Sequence, residues 1–448
     1  MRRILWFRRD LRVQDNPLLA KEGEVLPIFI FDPHLLSHLP KQSPRVDFIF
    51  EQVLRLKEAL QERGLDLAIF YDNPRHVFER LDALGFDEVC SCEDHDPYVR
   101  TLYRDISHIL PFHLIQDTYW FRPQEILKKD GSPYLVFTPF YNHAKEVLKQ
   151  KSFIPFTFAN VRLFSFAYDA LHVNGHPQKL ALPSLGFVPS FIPLSYHPHD
   201  LLKRFEDKID GYEKMRDFPA QEATSYLSAH LHYGTLSLRA LWLWLAHQTK
   251  LGKHTEPFLR QLLFREFYAS LLYHFPYLET KNFKYTITGI YDETKHRRFC
   301  EGNTGVPFVD AGIRQLLHTG TMHNRVRMVC ASFYTKDLLL PWQNGADFFA
   351  QHLIDYDKAS NTLSWQWSAG TGVDPQPYFR IFNPYLQSKR FDKEGTYITR
   401  YIPQLAALPS TSLHDETFLM QATLQGYPRP MVHHKEAADQ ALKYYRRA

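Results

Sequence analysis

Short apolar runs alternate with helical patterns through residues 1–125. The segment 46–63 carries apolar side chains at steps of three and four, which is the stripe of an amphipathic helix. Runs that are apolar almost throughout indicate buried strands, at 3–7, 25–31, 67–71 and 88–90. Strands that alternate with helices at this spacing predict an α/β domain with a doubly wound parallel sheet.

The pattern changes twice further along the chain. Residues 149–198 are rich in Phe, Pro and Leu and show no sustained period, so 126–199 is predicted to be an ordered linker. Beyond residue 200 strand signals nearly vanish, and a larger all-α C-terminal domain is predicted over 200–448. Its clearest helical stripes lie at 237–248, 257–273, 308–319 and 324–339.

The amino-acid composition indicates the broad class of protein. The 448 residues are 44% hydrophobic and 23% charged, which is typical of a globular chain with large cores. No apolar run is long enough to span a membrane, and the N-terminus lacks a secretory signal, so a cytoplasmic location is expected. Two nucleotide-binding fingerprints, G-x-G-x-x-G after the first strand and G-x-x-x-x-G-K-[ST], do not occur. The four cysteines form neither a zinc pattern nor a disulfide pattern, and no metal site is predicted.

Charge is concentrated in one stretch. The whole chain has a net charge of only +4, yet residues 295–336 contain seven basic residues against Glu301 and Asp310. Such a stretch can attract phosphates, although a solvated helix face explains it equally well.

Three polar and aromatic groups are candidate chemistry. The hydroxyls of Thr224, Ser225 and Ser228 could open a helix that binds phosphate. Arg327 and Asp355 could form a bidentate pair in a buried polar site. Trp365 and Trp367, at positions i and i+2, are predicted to face different surroundings, and aromatic surfaces beside Arg suit an unstacked base.

Long motifs then connect the whole chain to one family. They are Trp6-Phe7-Arg8-Arg9-Asp10-Leu11-Arg12, Phe264-Arg265-Glu266-Phe267-Tyr268, Glu301-Gly302-Asn303-Thr304-Gly305, Met322-His323-Asn324-Arg325 and Tyr378-Phe379-Arg380-Ile381-Phe382. With these motifs the sequence resembles photolyases and cryptochromes. Its tail, Tyr427-Pro428-Arg429-Pro430-Met431, resembles that of bacterial cyclobutane pyrimidine dimer photolyases.

The resemblance implies an antenna domain over 1–125 and a catalytic domain over 200–448 that binds FAD and DNA. Asn361 matches the residue that faces flavin N5, and an Asn there resembles repair enzymes, which use fully reduced FAD. The other implied cofactor-binding residues are Tyr212, Thr224, Ser225, Leu227, Ser228, Arg265, Arg327, Asp355 and Asp357.

The resemblance also implies light-driven repair of pyrimidine dimers in DNA, by electron transfer from excited reduced FAD to a flipped-out dimer. Asn361, Trp365, Trp342, Met328 and Asn324 match positions implied in this catalysis. The implied DNA contacts are Gln261, Phe264, Asn324, Arg325, Trp367 and Arg380.

Two departures from the family pattern stand out. Trp365 and Trp342 match the inner members of a tryptophan chain that reduces the flavin, but no Trp occurs between Trp244 and Trp342 to complete it. Tyr285 and Tyr291 are nearby aromatics, although oxidation of a tyrosine also requires the loss of a proton. Gln261 and Phe264 replace the Glu and Trp that dimer photolyases usually carry, which predicts weaker binding or an altered lesion preference.

Three alternatives to the repair of cyclobutane pyrimidine dimers stay open. The protein could be a cryptochrome-type photoreceptor, a (6-4) photolyase or an enzyme that prefers single-stranded DNA. A second, antenna chromophore could be a deazaflavin or FMN, or there could be none. A monomer is expected.

Overall fold

The computed structural model describes residues 1–190, 197–375 and 377–446. Its chain divides into two compact units, each built from two segments. Unit 1 comprises Met1–Ile209 and Ser225–Pro276, and unit 2 comprises Asp210–Thr224 and Tyr277–Ala448. Within the described ranges, no helix combines the length and the apolar character needed to cross a membrane.

The strands are β1 Arg2–Phe7, β2 Gly23–Phe31, β3 Ala68–Tyr71, β4 Glu88–Cys92, β5 Phe112–Ile115, β6 Val161–Leu163, β7 Leu171–Val173 and β8 His176–Gln178. The α-helices of the first half are α1 Pro33–Leu36, α2 Pro44–Gln61, α3 Pro74–Asp82, α4 Pro97–Ser107, α5 Phe137–Gln150, α6 Pro198–Glu206, α7 Tyr212–Met215, α8 Ser228–His232, α9 Leu238–Lys250 and α10 Glu256–His274.

The remaining α-helices are α11 Glu293–Cys300, α12 Pro307–Thr319, α13 Asn324–Ser332, α14 Trp342–His352, α15 Lys358–Ala369, α16 Pro384–Phe391, α17 Thr396–Tyr401, α18 Ser410–Leu413, α19 Glu416–Gln421 and α20 His434–Tyr445. A π turn, Phe333–Asp337, follows α13. Short 3-10 helices lie at Pro17–Leu19, Leu182–Leu185, Ile209–Gly211, Pro276–Glu279 and Pro403–Leu405.

Unit 1 is built on a mostly parallel sheet with the strand order β5-β4-β1-β2-β3-β7-β8. The chain places β2 and β3 on one side of β1 and returns to place β4 and β5 on the other, which is the doubly wound arrangement. Trp6 lies in the core beneath this sheet, where its ring packs edge-on against Phe78 and Tyr103. The predicted α/β fold is therefore confirmed, with each predicted strand close to its observed bounds.

Part of the predicted linker completes the sheet. Strand β6 pairs with β2, and β7 pairs with β3, both in parallel. These strands are only three residues long, too short for their side chains to show a period in the sequence. The division into an antenna domain, a linker and a catalytic domain by function remains a prediction.

Buried ion pairs explain why the second segment of unit 1 belongs with the sheet. Arg239, in the first turn of α9, donates to Asp117 at 2.6 Å and to Asp15 at 2.9 Å. Arg12 donates to both oxygens of Asp117 at 2.8 Å. A buried carboxylate needs a cation or several hydrogen-bond donors, and Asp15 and Asp117 obtain theirs from Arg12 and Arg239, so α9 is fixed to the loops that follow β1 and β5.

Unit 2 is helical, as predicted, and its core contains another buried carboxylate. Oδ1 of Asp310, in α12, accepts from the main chain and the hydroxyl of Thr304, and Oδ2 accepts from Gly305 N and the hydroxyl of Tyr427. Burial raises the pKa of Asp310, while these four donors favour its charged form. One side chain thus ties the loop before α12 to the tail of the chain.

Replacement of Asp310 by Asn should therefore destabilise unit 2. In either orientation, the new amide group would place N–H donors against two existing donors. We expect the free energy of unfolding, measured by urea denaturation, to fall by about 2–4 kcal/mol. Tyr427→Phe removes one donor and should cost about 1–2 kcal/mol. Equal stability of Asp310→Asn and the wild type would contradict this account of the core.

Candidate functional site

The predicted pair of Arg327 and Asp355 forms in unit 2, although its site is partly exposed and not buried as predicted. One guanidinium nitrogen of Arg327 donates to both oxygens of Asp355 at 3.0 Å, and its Nε donates to Met322 O at 2.7 Å. Both side chains are partly exposed. Because the pair is held by the main chain of the Met322-His323-Asn324-Arg325 motif, its charges are fixed in position before any ligand binds.

Asn361 has a defined orientation on α15. Its side-chain nitrogen donates to Ala346 O on α14 at 3.0 Å, and its main chain is bonded to Asp357 O. This contact directs the amide oxygen away from Ala346. Within the described residues that oxygen accepts no hydrogen bond, so it is available to accept one from a ligand.

Trp365 lies one helical turn further along α15 and is 2% exposed. Its ring packs edge-on against Tyr334 and Phe349, with centroids 5.6 and 5.0 Å apart. A Cβ at Gly345 on α14 would overlap the indole ring, so a glycine there is what permits this packing. Trp342 is also buried, and its N–H donates to Asn282 at 2.7 Å.

Asn324 and Met328 are brought together one turn apart at the start of α13, where the Asn amide lies 3.7 Å from the Met sulfur. Arg325 on the same helix donates to Asp217 at 2.8 Å and packs over Phe391. Asn324 and Arg380 are exposed, whereas Trp367 is half-buried.

The basic stretch 295–336 is not a uniform exposed surface. Arg325 and Arg327 are paired with carboxylates, and Lys336 is buried with its ammonium on Ala369 O. Three of the seven basic residues are therefore paired or buried, so this stretch is less positive at the protein surface than its composition indicates. Arg297 is exposed.

The other implied cofactor residues of unit 2 have simpler surroundings. Tyr212 is buried in α7, and Arg216 packs over its ring. Burial raises the pKa of Tyr212, so it remains a neutral phenol. Asp357 caps α15 by accepting from Ser360 N at 2.9 Å, and Thr224 is half-buried.

The hydroxyl cluster leads into a helix, as predicted, but does not cap it. Helix α8 begins at Ser228, with Leu227 at its N-cap position and no side-chain cap. Ser225 accepts from Leu227 N at 3.4 Å, and Tyr226 adopts a positive φ of 55°. The hydroxyls are thus not consumed by helix capping, because the turn at Tyr226 precedes the helix.

Arg265 in unit 1 is held by main-chain and aromatic contacts. It donates to the carbonyls of Thr118 and Leu231 and packs over the Tyr119 ring. Its neighbour Glu266 is buried and accepts from Trp120 N and Phe121 N, and burial raises its pKa to about 7. Arg265 is accordingly positioned by several main-chain contacts.

Phe264 and Gln261 lie on α10 and are half-buried. The ring of Phe264 stacks on Phe137 of α5 with centroids 3.4 Å apart and an angle of 8° between the rings. Arg260 packs over Phe137 at 4.9 Å. One face of Phe264 is therefore already covered by protein.

Sequence reasoning missed several of these partners. Phe137, Asp217 and Asn282 each contact a predicted site residue, and Tyr334 contacts Trp365. Each comes from a distant part of the chain, so no local pattern indicates the pairing. An alignment of related sequences could have revealed them through correlated changes.

The residues present have the chemistry that FAD requires. Hydroxyls and main-chain N–H groups suit its phosphates, and an arginine with carboxylates suits its polar ring edge and ribityl chain. The amide oxygen of Asn361 adds an acceptor that the protein leaves available.

Comparison with known proteins agrees with this chemistry. Residues 3–156 match the family profile described as DNA photolyase, and residues 258–447 match the profile described as the FAD binding domain of DNA photolyase. The deoxyribodipyrimidine photo-lyase of Alkalihalophilus pseudofirmus is 33% identical over 99% of this chain and 98% of its own length.

Two solved structures are similar over nearly the whole chain. A class III photolyase from Agrobacterium tumefaciens has a TM-score of 0.85 and 31% identity, covering 99% of this chain and 97% of its own. An archaeal photolyase from Sulfolobus tokodaii, solved with two FAD molecules, has a TM-score of 0.84 and 30% identity, covering 100% of both chains. The chain is a flavoprotein of the DNA photolyase family.

Proposed function

We propose that this protein is a deoxyribodipyrimidine photo-lyase, which uses light to split cyclobutane pyrimidine dimers in DNA. The observation that carries the proposal is the orientation of Asn361, whose amide nitrogen is held by Ala346 O while its oxygen is left available. Relatives named deoxyribodipyrimidine photo-lyase, which match over nearly the whole chain, support it.

Asn361 would act as an acceptor for the N–H that reduced flavin presents. A neutral amide suits an anionic reduced ring better than a carboxylate would, because it adds no like charge. Fully reduced FAD, when bound and excited by light, would supply the electron that opens the cyclobutane ring and accept it back. The residues implied by resemblance to hold the cofactor in place are Tyr212, Thr224, Ser225, Leu227, Ser228, Arg265, Arg327, Asp355 and Asp357.

The protein's part in the reaction is positioning, with no general base, nucleophile or metal assigned to it. A dimer must leave the stack to approach the cofactor, and a damaged base costs less to unstack than a normal one. We assign Asn324, Met328 and Trp367 to contacts with the dimer. Arg325 and Arg380 are assigned to the DNA backbone.

Unit 1 supplies the residues that distinguish this chain from standard dimer photolyases. Gln261 can hydrogen-bond a pyrimidine edge but carries no charge. Phe264 offers a stacking surface smaller than that of Trp, and Phe137 covers one side of it. We propose that these two residues lower the binding affinity for the dimer without abolishing binding.

The functional division of the chain belongs to the same proposal. Residues 1–125 would form the antenna domain, 126–199 the connection, and 200–448 the catalytic domain. The structure with two FAD molecules concerns the Sulfolobus tokodaii enzyme, and it supports testing a second flavin as the antenna chromophore here.

Light should be required for dimer removal. Purified protein reduced with dithionite is incubated with thymine-dimer DNA in blue light and in darkness, and the released monomers are quantified by chromatography. We expect repair in light alone. Asn361→Asp, which has the same shape, should slow repair at least about tenfold because it adds a negative charge beside the flavin.

Bound FAD with no repair of any lesion in either condition would contradict the proposal and favour a photoreceptor instead. Repair confined to (6-4) lesions or to single-stranded DNA would show that the substrate differs from the one proposed, although the reaction is still light-driven repair.

A larger ring at position 264 should strengthen dimer binding. Phe264→Trp adds stacking area on the same framework, and we expect the dissociation constant for a dimer-containing duplex to fall about two- to fivefold, or about 0.5–1 kcal/mol. Binding of an undamaged duplex serves as the control and should not change. Equal affinity of the wild type and the variant for the damaged duplex would show that Phe264 does not touch the lesion.

A further inference from the structure

A line of aromatic side chains leads from Trp365 to the surface of unit 2. The Trp365 ring contacts the Tyr334 ring with centroids 5.6 Å apart, Tyr334 contacts His296 at 5.9 Å, and His296 contacts Tyr291 at 5.8 Å. Each separation is that of rings in direct contact. Trp365 and Tyr334 are 2% and 0% exposed, whereas Tyr291 is 49% exposed, so the line connects the core to solvent.

Both tyrosines have a proton acceptor within hydrogen-bond distance. Tyr334 Oη lies 2.7 Å from His296 Nδ1, and Tyr291 Oη donates to Glu293 Oε2 at 2.5 Å. These distances are those of a group positioned to take a proton. A tyrosine that loses an electron also loses its phenolic proton, and here each proton has a defined destination.

The state of His296 suits this role. Burial lowers the pKa of its imidazole, which is therefore neutral and has a lone pair near pH 7. Its Nε2 lies 3.6 Å from the Cys300 sulfur, a weak acceptor that suits a proton on Nε2 and leaves Nδ1 open to Tyr334. Burial raises the pKa of Tyr334, so its proton is retained until the phenol is oxidised.

We propose that the bound flavin is photoreduced by electrons that pass along Tyr291, Tyr334 and Trp365, with His296 and Glu293 holding the phenolic protons. This inference rests on the proposed function, which supplies the flavin and the light. It identifies a surface terminus in a chain that has no tryptophan between Trp244 and Trp342.

Trp365 gives one electron to the light-excited flavin and is left as a radical cation. Tyr334 returns an electron to Trp365 and passes its proton to His296. Tyr291 then reduces the Tyr334 radical, whose proton comes back from His296, while the proton of Tyr291 moves to Glu293. A soluble thiol gives a hydrogen atom to the Tyr291 radical, and Glu293 releases its proton to water.

Other side chains near this line are less suited. Phe349 also contacts Trp365, but a phenyl ring is much harder to oxidise than a phenol. Tyr285 is as exposed as Tyr291. Its ring, however, contacts Tyr378, with centroids 6.4 Å apart, and Tyr378 is not part of the line that leads to Trp365. Burial raises the pKa of Cys300 to about 12, which keeps it a thiol rather than a thiolate donor.

The test compares flavin photoreduction in single variants. Protein with oxidised FAD is illuminated with dithiothreitol under argon, and the loss of flavin absorbance is followed. Tyr334→Phe and Tyr291→Phe should each slow reduction at least about tenfold. Tyr285→Phe is the matched control, because it removes an equally exposed phenol, and it should reduce at the wild-type rate. Trp342→Phe tests an alternative route through Trp342, the buried residue that matches an inner member of the family's tryptophan chain.

A second readout identifies the radical itself. Illumination with a nitroso spin trap, followed by mass spectrometry, should find the adduct on the Tyr291 peptide of the wild type and not in Tyr334→Phe. Electron paramagnetic resonance with ring-deuterated tyrosine should show a narrowed tyrosyl signal. Exchange into D₂O should slow its formation, because a proton moves with the electron.

Wild-type rates in both Tyr334→Phe and Tyr291→Phe, with slow reduction in Trp342→Phe, would overturn the relay. Dithionite loads the flavin with electrons without any relay, so repair by the dithionite-reduced wild type tests the proposed function separately. Repair by the dithionite-reduced protein together with negative radical tests would support the proposed function and contradict the proposed relay.

Discussion

The π turn Phe333–Asp337 is the constraint on which unit 2 depends. All five of its side chains are buried, although three of them are polar or charged. A π turn widens the helix by one residue, which directs side chains inward that a continuous α-helix would place elsewhere. Each buried polar group must then find a partner. The Thr335 hydroxyl donates to Ala331 O, one turn back on α13, whereas the other polar side chains find partners in distant parts of the chain.

These partners connect the turn to three helices. Tyr334 reaches His296 on α11 and Trp365 on α15. Asp337 accepts from His434 on α20 at 2.6 Å, and burial raises the pKa of this carboxyl to about 6. Lys336 donates to Ala369 O and lies 3.6 Å from the Tyr445 ring, and burial lowers its pKa to about 7. The framework that fixes Trp365 is thus the same one that supplies the proposed electron relay.

Much of the fold follows from local pattern. The period of apolar residues predicts the helices α2, α9, α10 and α12. Continuous apolar runs predict the strands β1 to β4, which are buried along most of their length. The same reasoning extends one helix over 324–339, where the structure has α13 and then the π turn. Period alone does not distinguish a helix that widens by one residue, since the apolar positions remain nearly in phase.

The site was predictable in part. Opposite charge was enough to suggest Arg327 with Asp355, and resemblance indicated Asn361 and Trp365. The contacts of Tyr334 with His296 and of Phe264 with Phe137 join residues far apart in sequence, whose pairing is decided by tertiary packing. The charge excess of 295–336 overstates the exposed positive charge for the same reason, because Asp217 and Asp355, which pair with Arg325 and Arg327, lie outside that stretch.

The central claim is that a light-excited, protein-bound reduced flavin splits dimers in DNA. The most direct test is the action spectrum of repair, measured as dimer loss per incident photon at a series of wavelengths with dithionite-reduced protein. The account predicts a spectrum that follows the absorption of the bound reduced flavin, together with any antenna present, and no repair in darkness. Repair in the dark, or an action spectrum unrelated to the bound chromophores, would contradict it.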